Sequence, residues 1–109
     1  MHSISVAELA LWRRAAFAHT LLDVRRDIKR AGDGDEITGG SWLNPALWLD
    51  WKDTLADNEQ PIVVYCAYGH EISQGLAAAL RAMGRDARTL EGGIDAWRTA
   101  GHEVAAISA

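Results

Sequence analysis

A second cysteine is missing from this chain, and Cys66 stands alone. An internal disulfide is therefore excluded, and any resolving thiol must come from another molecule. No run of apolar residues is long enough to span a bilayer. The opening Met1-His2-Ser3-Ile4-Ser5 lacks the basic segment and apolar core of a signal peptide, so a cytoplasmic chain is expected. A basic excess is absent too: 11 Lys and Arg stand against 15 Asp and Glu, scattered along the chain. That argues against a nucleic-acid surface. The histidines, His2, His19, His70 and His102, show no ligand spacing with Cys66. No metal site is expected. Proline and glycine are too few for a collagenous or disordered chain, and there is no internal repeat.

The length and the 49% apolar content suit one compact domain over residues 1–109. Its centre is Pro61-Ile62-Val63-Val64-Tyr65-Cys66. This β-branched run has the pattern of a buried strand, and it ends at the cysteine. The polar segment Ala67-Tyr68-Gly69-His70-Glu71-Ile72 follows. Ser73 then opens an alanine-rich helix to Met83, which Gly84 stops. At a strand-to-helix junction several backbone N–H groups lack intrahelical partners, and the helix dipole is positive. A thiolate is stabilised there, and an anion can be cradled beside it. The simpler account of any one cysteine is a buried structural thiol. The junction favours the reactive one.

The remaining elements alternate. Ser5 is placed to cap a helix from Val6 to about Phe17. Thr20 to Arg25 reads as a strand. Arg26 to Glu36, charged and punctuated by Gly32 and Gly34, reads as a loop. A short strand is expected within Ile37–Leu43, and Asn44-Pro45 is a helix start for a segment to about Ala56. Asp86 to Leu90 is the last strand, and Ile94 to Ala100 a short helix with Trp97 inward. The tail beyond it is too short for another layer. This order predicts an α/β fold, a parallel sheet with helices on both faces. Trp42, Trp48 and Trp51 lie close in sequence. They could line a binding surface, but packing of large amphipathic rings is the simpler account.

Four separated stretches carry a resemblance. Leu22-Asp23-Val24-Arg25 resembles the "LDVR" strand of rhodanese-like domains. Ile37-Thr38-Gly39-Gly40 looks like that family's "I-x-G-A" segment, with glycine in place of alanine. Tyr65-Cys66 through Ser73 resembles its active-site strand and loop. Leu90-Glu91-Gly92-Gly93-Ile94-Asp95-Ala96-Trp97, then Ala100-Gly101, is similar to its closing "L-x-G-G-x-x-x-W…G" signature. The resemblance implies a rhodanese-like fold and a thiosulfate sulfurtransferase. A sulfane sulfur from thiosulfate or a related donor would pass through a persulfide on Cys66 to a thiol or to cyanide. No cofactor is implied. A partner protein could be the donor or the acceptor.

The resemblance also makes Cys66 the catalytic residue and Ala67, Tyr68, Gly69, His70, Glu71, Ile72 and Ser73 the substrate-binding loop. His70 is a candidate proton donor or cationic partner of the thiolate. Gly69 is there for backbone geometry. Asp23 and Arg25 are candidate supporting residues, although an ion pair that pins loops is the simpler account. With the helix anchored on Ser73 the loop is one residue longer than the family's commonest six. It then resembles the loops of phosphatases and arsenate reductases of the same fold, which end in an arginine that binds oxyanions bidentately. Here that place holds Ile72, preceded by Glu71. A six-residue loop with Glu71 last is equally compatible. A cysteine-dependent phosphatase or arsenate reductase is thus one alternative, and a non-catalytic persulfide-carrier or binding module is another.

Overall fold

A computed structural model describes residues 2–56 and 58–107. Five parallel strands form the main sheet. They are β1 (Ser3–Ile4), β2 (Thr20–Asp23), β4 (Ser41–Trp42), β5 (Ile62–Tyr65) and β6 (Ala87–Leu90). Their spatial order is β1-β6-β5-β2-β4. β5 lies in the middle, with Val63 in register with Leu21 on one side and Arg88 on the other. Every residue of β5 is fully buried, as expected of a parallel strand covered on both faces.

Side-chain alternation along β5 divides the core in two. Val63 and Tyr65 join Ile4, Leu9, Leu21, Ile94 and Trp97 on the face covered by α1 (Val6–Arg14) and α5 (Gly93–Thr99). Ile62, Val64 and Cys66 join Leu22, Trp51, Ala77 and Leu80 on the face covered by α3 (Trp48–Trp51) and α4 (Glu71–Ala82). Burial of one such aliphatic side chain contributes about 1.5–3 kcal/mol, so both faces hold β5 in place. The expected α/β architecture with helices on both faces is present.

Several boundaries differ from the sequence reading, each for a physical reason. The Ser5 cap forms, its Oγ accepting from Glu8 N–H at 3.0 Å. The helix it starts ends at Arg14 rather than near Phe17, because Ala16 turns to φ 53°. The segment read as a loop from Arg26 to Glu36 is instead a helix, α2 (Asp27–Asp33), and a strand, β3 (Asp35–Ile37). In α2 the Asp27 carboxylate accepts from Ile28 N–H at 2.8 Å, and Lys29 pairs with Asp33 one turn on at 3.1 Å. Gly34, at φ 73°, terminates that helix rather than breaking it. β3 exists because the tail returns as β7 (Val104–Ala106) and pairs antiparallel with it, Glu36 opposite Ala105. The tail therefore adds a strand where none was expected. β1, unread in the sequence, pairs with β6.

The helix expected from Pro45 to about Ala56 is a 3-10 turn over Pro45–Leu47 followed by the single turn α3. Asn44 does cap it, accepting from Ala46 N–H at 3.0 Å. Trp51 is buried and Trp48 packs edge-on against it at 4.8 Å, while Trp42 donates to the Arg25 carbonyl at 2.8 Å. Packing thus accounts for the three tryptophans. Among the described residues no helix is long and apolar enough to cross a membrane.

Candidate active site

β5 ends at Tyr65 and α4 opens at Glu71, so the connection is the short segment Cys66–His70. Ser73 does not open the helix. It is the third residue of α4, fully buried in the first turn, with its Oγ 3.1 Å from Cys66 Sγ. Burial pushes the Cys66 thiol up. The Ser73 hydroxyl and the backbone N–H groups of Ser73, His70 and Tyr68 outweigh it and hold the thiol below its ordinary value. The Ser73 and His70 amides belong to the helix start and the Tyr68 amide to the loop before it, all three favouring the sulfur anion.

The segment is braced from behind by the turn after β6. Ile94 N–H donates to the Cys66 carbonyl and Asp95 N–H to the Ala67 carbonyl, both at 3.0 Å. The approach is so close that a Cβ on Gly93 would lie 2.4 Å from the Cys66 carbonyl oxygen. A Cβ on Gly69 would lie 2.8 Å from Gly92 N, and both glycines have positive φ. The sequence motifs around Cys66 and Gly92-Gly93 are therefore two sides of one contact. Gln74 adds a clasp, its Nε2 donating to the Gly69 carbonyl at 2.7 Å.

Cys66 opens onto a cavity of about 520 Å³. Ala67, Tyr68, His70, Glu71 and Ile72 line it together with Arg25, Arg26 and Lys29. Of the expected loop residues, Gly69 and Ser73 are absent from this lining and act behind it. Asp23 does not line it either. Its carboxylate is buried in a bidentate pair with Arg25, at 2.6 Å from Nη2 and 3.0 Å from Nε. Arg25 also donates to the Asp35 carbonyl at 2.7 Å and contacts Asp33 at 3.2 Å. Asp23 and Arg25 thus form the ion pair that ties β2 to α2 and β3.

Two cavity residues escaped the sequence reading. Arg26 and Lys29 reach the wall from the start of α2, Arg26 as its N-cap residue and Lys29 in its first turn. Lys29 Nζ sits 5.3 Å from the centre of the Tyr68 ring, within cation–π range. Reading Arg26–Glu36 as a loop concealed both. The signal available was the Lys29–Asp33 spacing, which suits a helix.

The model of the rhodanese-like domain matches residues 5–100. This chain belongs to the rhodanese-like domain family. A rhodanese-like domain protein from Staphylococcus aureus is 28% identical, with a TM-score of 0.82, covering 99% of this chain and 100% of the other. A Rhodopseudomonas palustris protein of unknown function, described as a possible tyrosine phosphatase, is 25% identical over 96% of this chain and 85% of its own, with a TM-score of 0.81. A thiosulfate sulfurtransferase from Pseudomonas aeruginosa shares the fold at 23% identity and a TM-score of 0.78. That match covers 96% of this chain and 19% of the larger protein. No curated protein matches this rhodanese-like chain. Among the described residues no group of His, Cys, Asp and Glu is placed to hold a metal ion.

Proposed function

We propose that this rhodanese-like protein is a sulfurtransferase that carries a sulfane sulfur on Cys66. The observation that supports it is the surroundings of that thiol. One hydroxyl and three backbone amides stabilise its anion, and it opens onto a cavity wide enough for a donor. The Cys66 thiolate attacks the outer sulfur of thiosulfate. An S–S bond forms on Cys66, the donor's S–S bond breaks, and sulfite leaves with the electron pair. A thiolate or cyanide then attacks the outer sulfur of the persulfide, and the Cys66 thiolate departs. The amides that hold the thiolate also hold the terminal sulfur anion. No external oxidant or reductant is needed, which suits a cytoplasmic setting.

The competing reading is phosphoryl or arsenate chemistry. It needs a guanidinium at the end of the loop, where this chain has Glu71 and Ile72. Arg25, whose side chain is fully buried, has its guanidinium held by Asp23, Asp33 and the Asp35 carbonyl. The test is thiocyanate production from thiosulfate and cyanide, run beside hydrolysis of p-nitrophenyl phosphate. Turnover in the first assay and none in the second supports sulfur transfer. The reverse pattern, lost in Cys66→Ser, would overturn it. Stoichiometric loading of Cys66 without turnover would make the protein a persulfide carrier serving a partner.

A further inference from the structure

A hollow of about 350 Å³ shares no lining residue with the cavity over Cys66. Its floor is Ala10, Ile37 and Trp97. These residues belong to the core on the α1 and α5 face of the sheet, and Cys66 belongs to the opposite face. Arg13 and Arg14, from the last turn of α1, line one side. Arg13 is held without a carboxylate. Its Nη1 donates to His19 Nε2 at 3.0 Å, and its Nη2 donates to the Thr38 carbonyl. A guanidinium only donates, so the His19 proton sits on Nδ1 and is donated to the Phe17 carbonyl at 2.7 Å. Gly39 belongs to the same mount, because a Cβ there would run into Arg13 Nη2. Arg14 is exposed. Among the described residues neither arginine is paired with a carboxylate. Two uncompensated positive charges therefore line this hollow, one of them fixed by neutral acceptors. The other side is His102 and Glu103, from the turn before β7. The half-buried His102 ring packs against Trp97, with centroids 4.6 Å apart. Trp97 Nε1 donates to the Glu103 carbonyl at 2.8 Å and so fixes this turn.

We infer that this hollow binds a nucleoside monophosphate, its phosphate on Arg13 and Arg14 and its base stacked on the His102 ring. Two guanidiniums match the charge of a phosphate monoester dianion and grip its oxygens in pairs. The volume falls within the range of small-molecule sites, roughly 300–1,000 Å³. A water takes roughly 30 Å³ of liquid, so a phosphate alone leaves most of the hollow unfilled. The remainder is apolar at the floor and flat at the His102–Trp97 pair, which suits a planar ring. Stacking on an aromatic side chain accepts any base, since every base has a π-face. The Glu103 carboxylate only accepts hydrogen bonds. It favours the donor-bearing base and ribose at its side of the hollow and repels a second anionic group. The thiol takes no part, so this inference stands or falls apart from the sulfur-transfer reading.

The test titrates the isotope-labelled protein with adenosine monophosphate, ribose 5-phosphate and adenosine, followed by NMR. Adenosine monophosphate should shift the Trp97 indole N–H and the backbone amides of Arg14, His102 and Glu103 along one saturable curve. Ribose 5-phosphate lacks the base and adenosine lacks the phosphate, so each should bind at least about tenfold more weakly. Arg14 is exposed at a helix end, so Arg14→Gln should fold. It should weaken adenosine monophosphate up to about fivefold, a loss that shrinks as salt is added. His102→Ala should weaken it about tenfold at any salt concentration. Four results would each overturn the site. They are no shift at millimolar nucleotide, shifts confined to the amides of Ala67–Ile72, ribose 5-phosphate binding as tightly as the nucleotide, or nucleotide binding that neither variant weakens.

Discussion

Ser73→Ala removes one hydroxyl from the thiolate and leaves the helix amides in place. The Ser73 Oγ is 3.1 Å from Cys66 Sγ and fully buried. Once the sulfur is an anion, this hydroxyl must be the donor. A hydrogen bond to a charged group contributes about 1.5–3 kcal/mol. Losing it should move the thiol's titration upward and cut the thiolate fraction at low pH by one to two orders of magnitude, at ~1.4 kcal/mol per tenfold. Part of that loss is offset, because a more basic thiolate is a better nucleophile, with a Brønsted slope of about 0.4–0.5. Below both midpoints the alkylation rate with iodoacetamide should therefore fall about four- to fifteenfold. Above both midpoints the variant should be the faster protein, by about three- to tenfold. The two rate–pH curves must cross. Curves that stay parallel, with Ser73→Ala slower throughout, would show that the serine only shapes access. Coincident curves would show that it does not touch the thiolate.

Glu71 lines the cavity and places a carboxylate near an incoming dianion. Glu71→Gln should raise the second-order rate with thiosulfate by up to about fivefold, from a screened repulsion of roughly 1 kcal/mol. The gain should shrink with added salt and be absent for an uncharged donor; a gain that ignores salt would count against a through-space effect. Gly93→Ala should destabilise the fold by at least ~1–3 kcal/mol, the cost of a strained φ, since its Cβ also meets the Cys66 carbonyl at 2.4 Å. An unchanged urea midpoint would mean the contact between the two turns is loose. Arg98 pairs with Asp35 and holds its carboxyl below the ordinary range, while Lys29 and Arg25 hold Asp33 low against the opposing effect of burial. Folded values below the unfolded one, about 3.9, make these pairs stabilising above that pH. The contribution is lost as pH falls through the folded values. Arg98→Gln should therefore flatten the acid limb of stability against pH, and an acid limb identical to wild type would refute the assignment.

Much of this arrangement was legible because it rests on local patterns. Ile62 to Tyr65 announced a buried strand by composition alone, and the lone cysteine at its end marked the site. The Leu90–Trp97 stretch was recognisable as a motif. Its reason, the 3.0 Å bonds from Ile94 and Asp95 to the cysteine's own carbonyls, needs the fold. What escaped depends on partners distant in sequence. β3 is a strand because Ala105 lies opposite Glu36, and no local signal in Asp35–Ile37 says so. α2 carries no buried residue, so it lacks the apolar stripe that marks a helix, and its two cavity cations were lost with it. Ser73 was read as opening the helix, which in fact begins at Glu71, so the start was placed too late. Its hydroxyl faces Sγ from the helix's first turn, a contact that only the fold reveals.

The central claim is that Cys66 carries sulfur. The most direct measurement is the intact mass of the protein after incubation with thiosulfate, before and after adding cyanide. Wild type should gain the mass of one sulfur atom and lose it again as thiocyanate appears, and Cys66→Ala should do neither. A wild-type mass that never changes, or a Cys66→Ala protein that still gains sulfur, would contradict the claim.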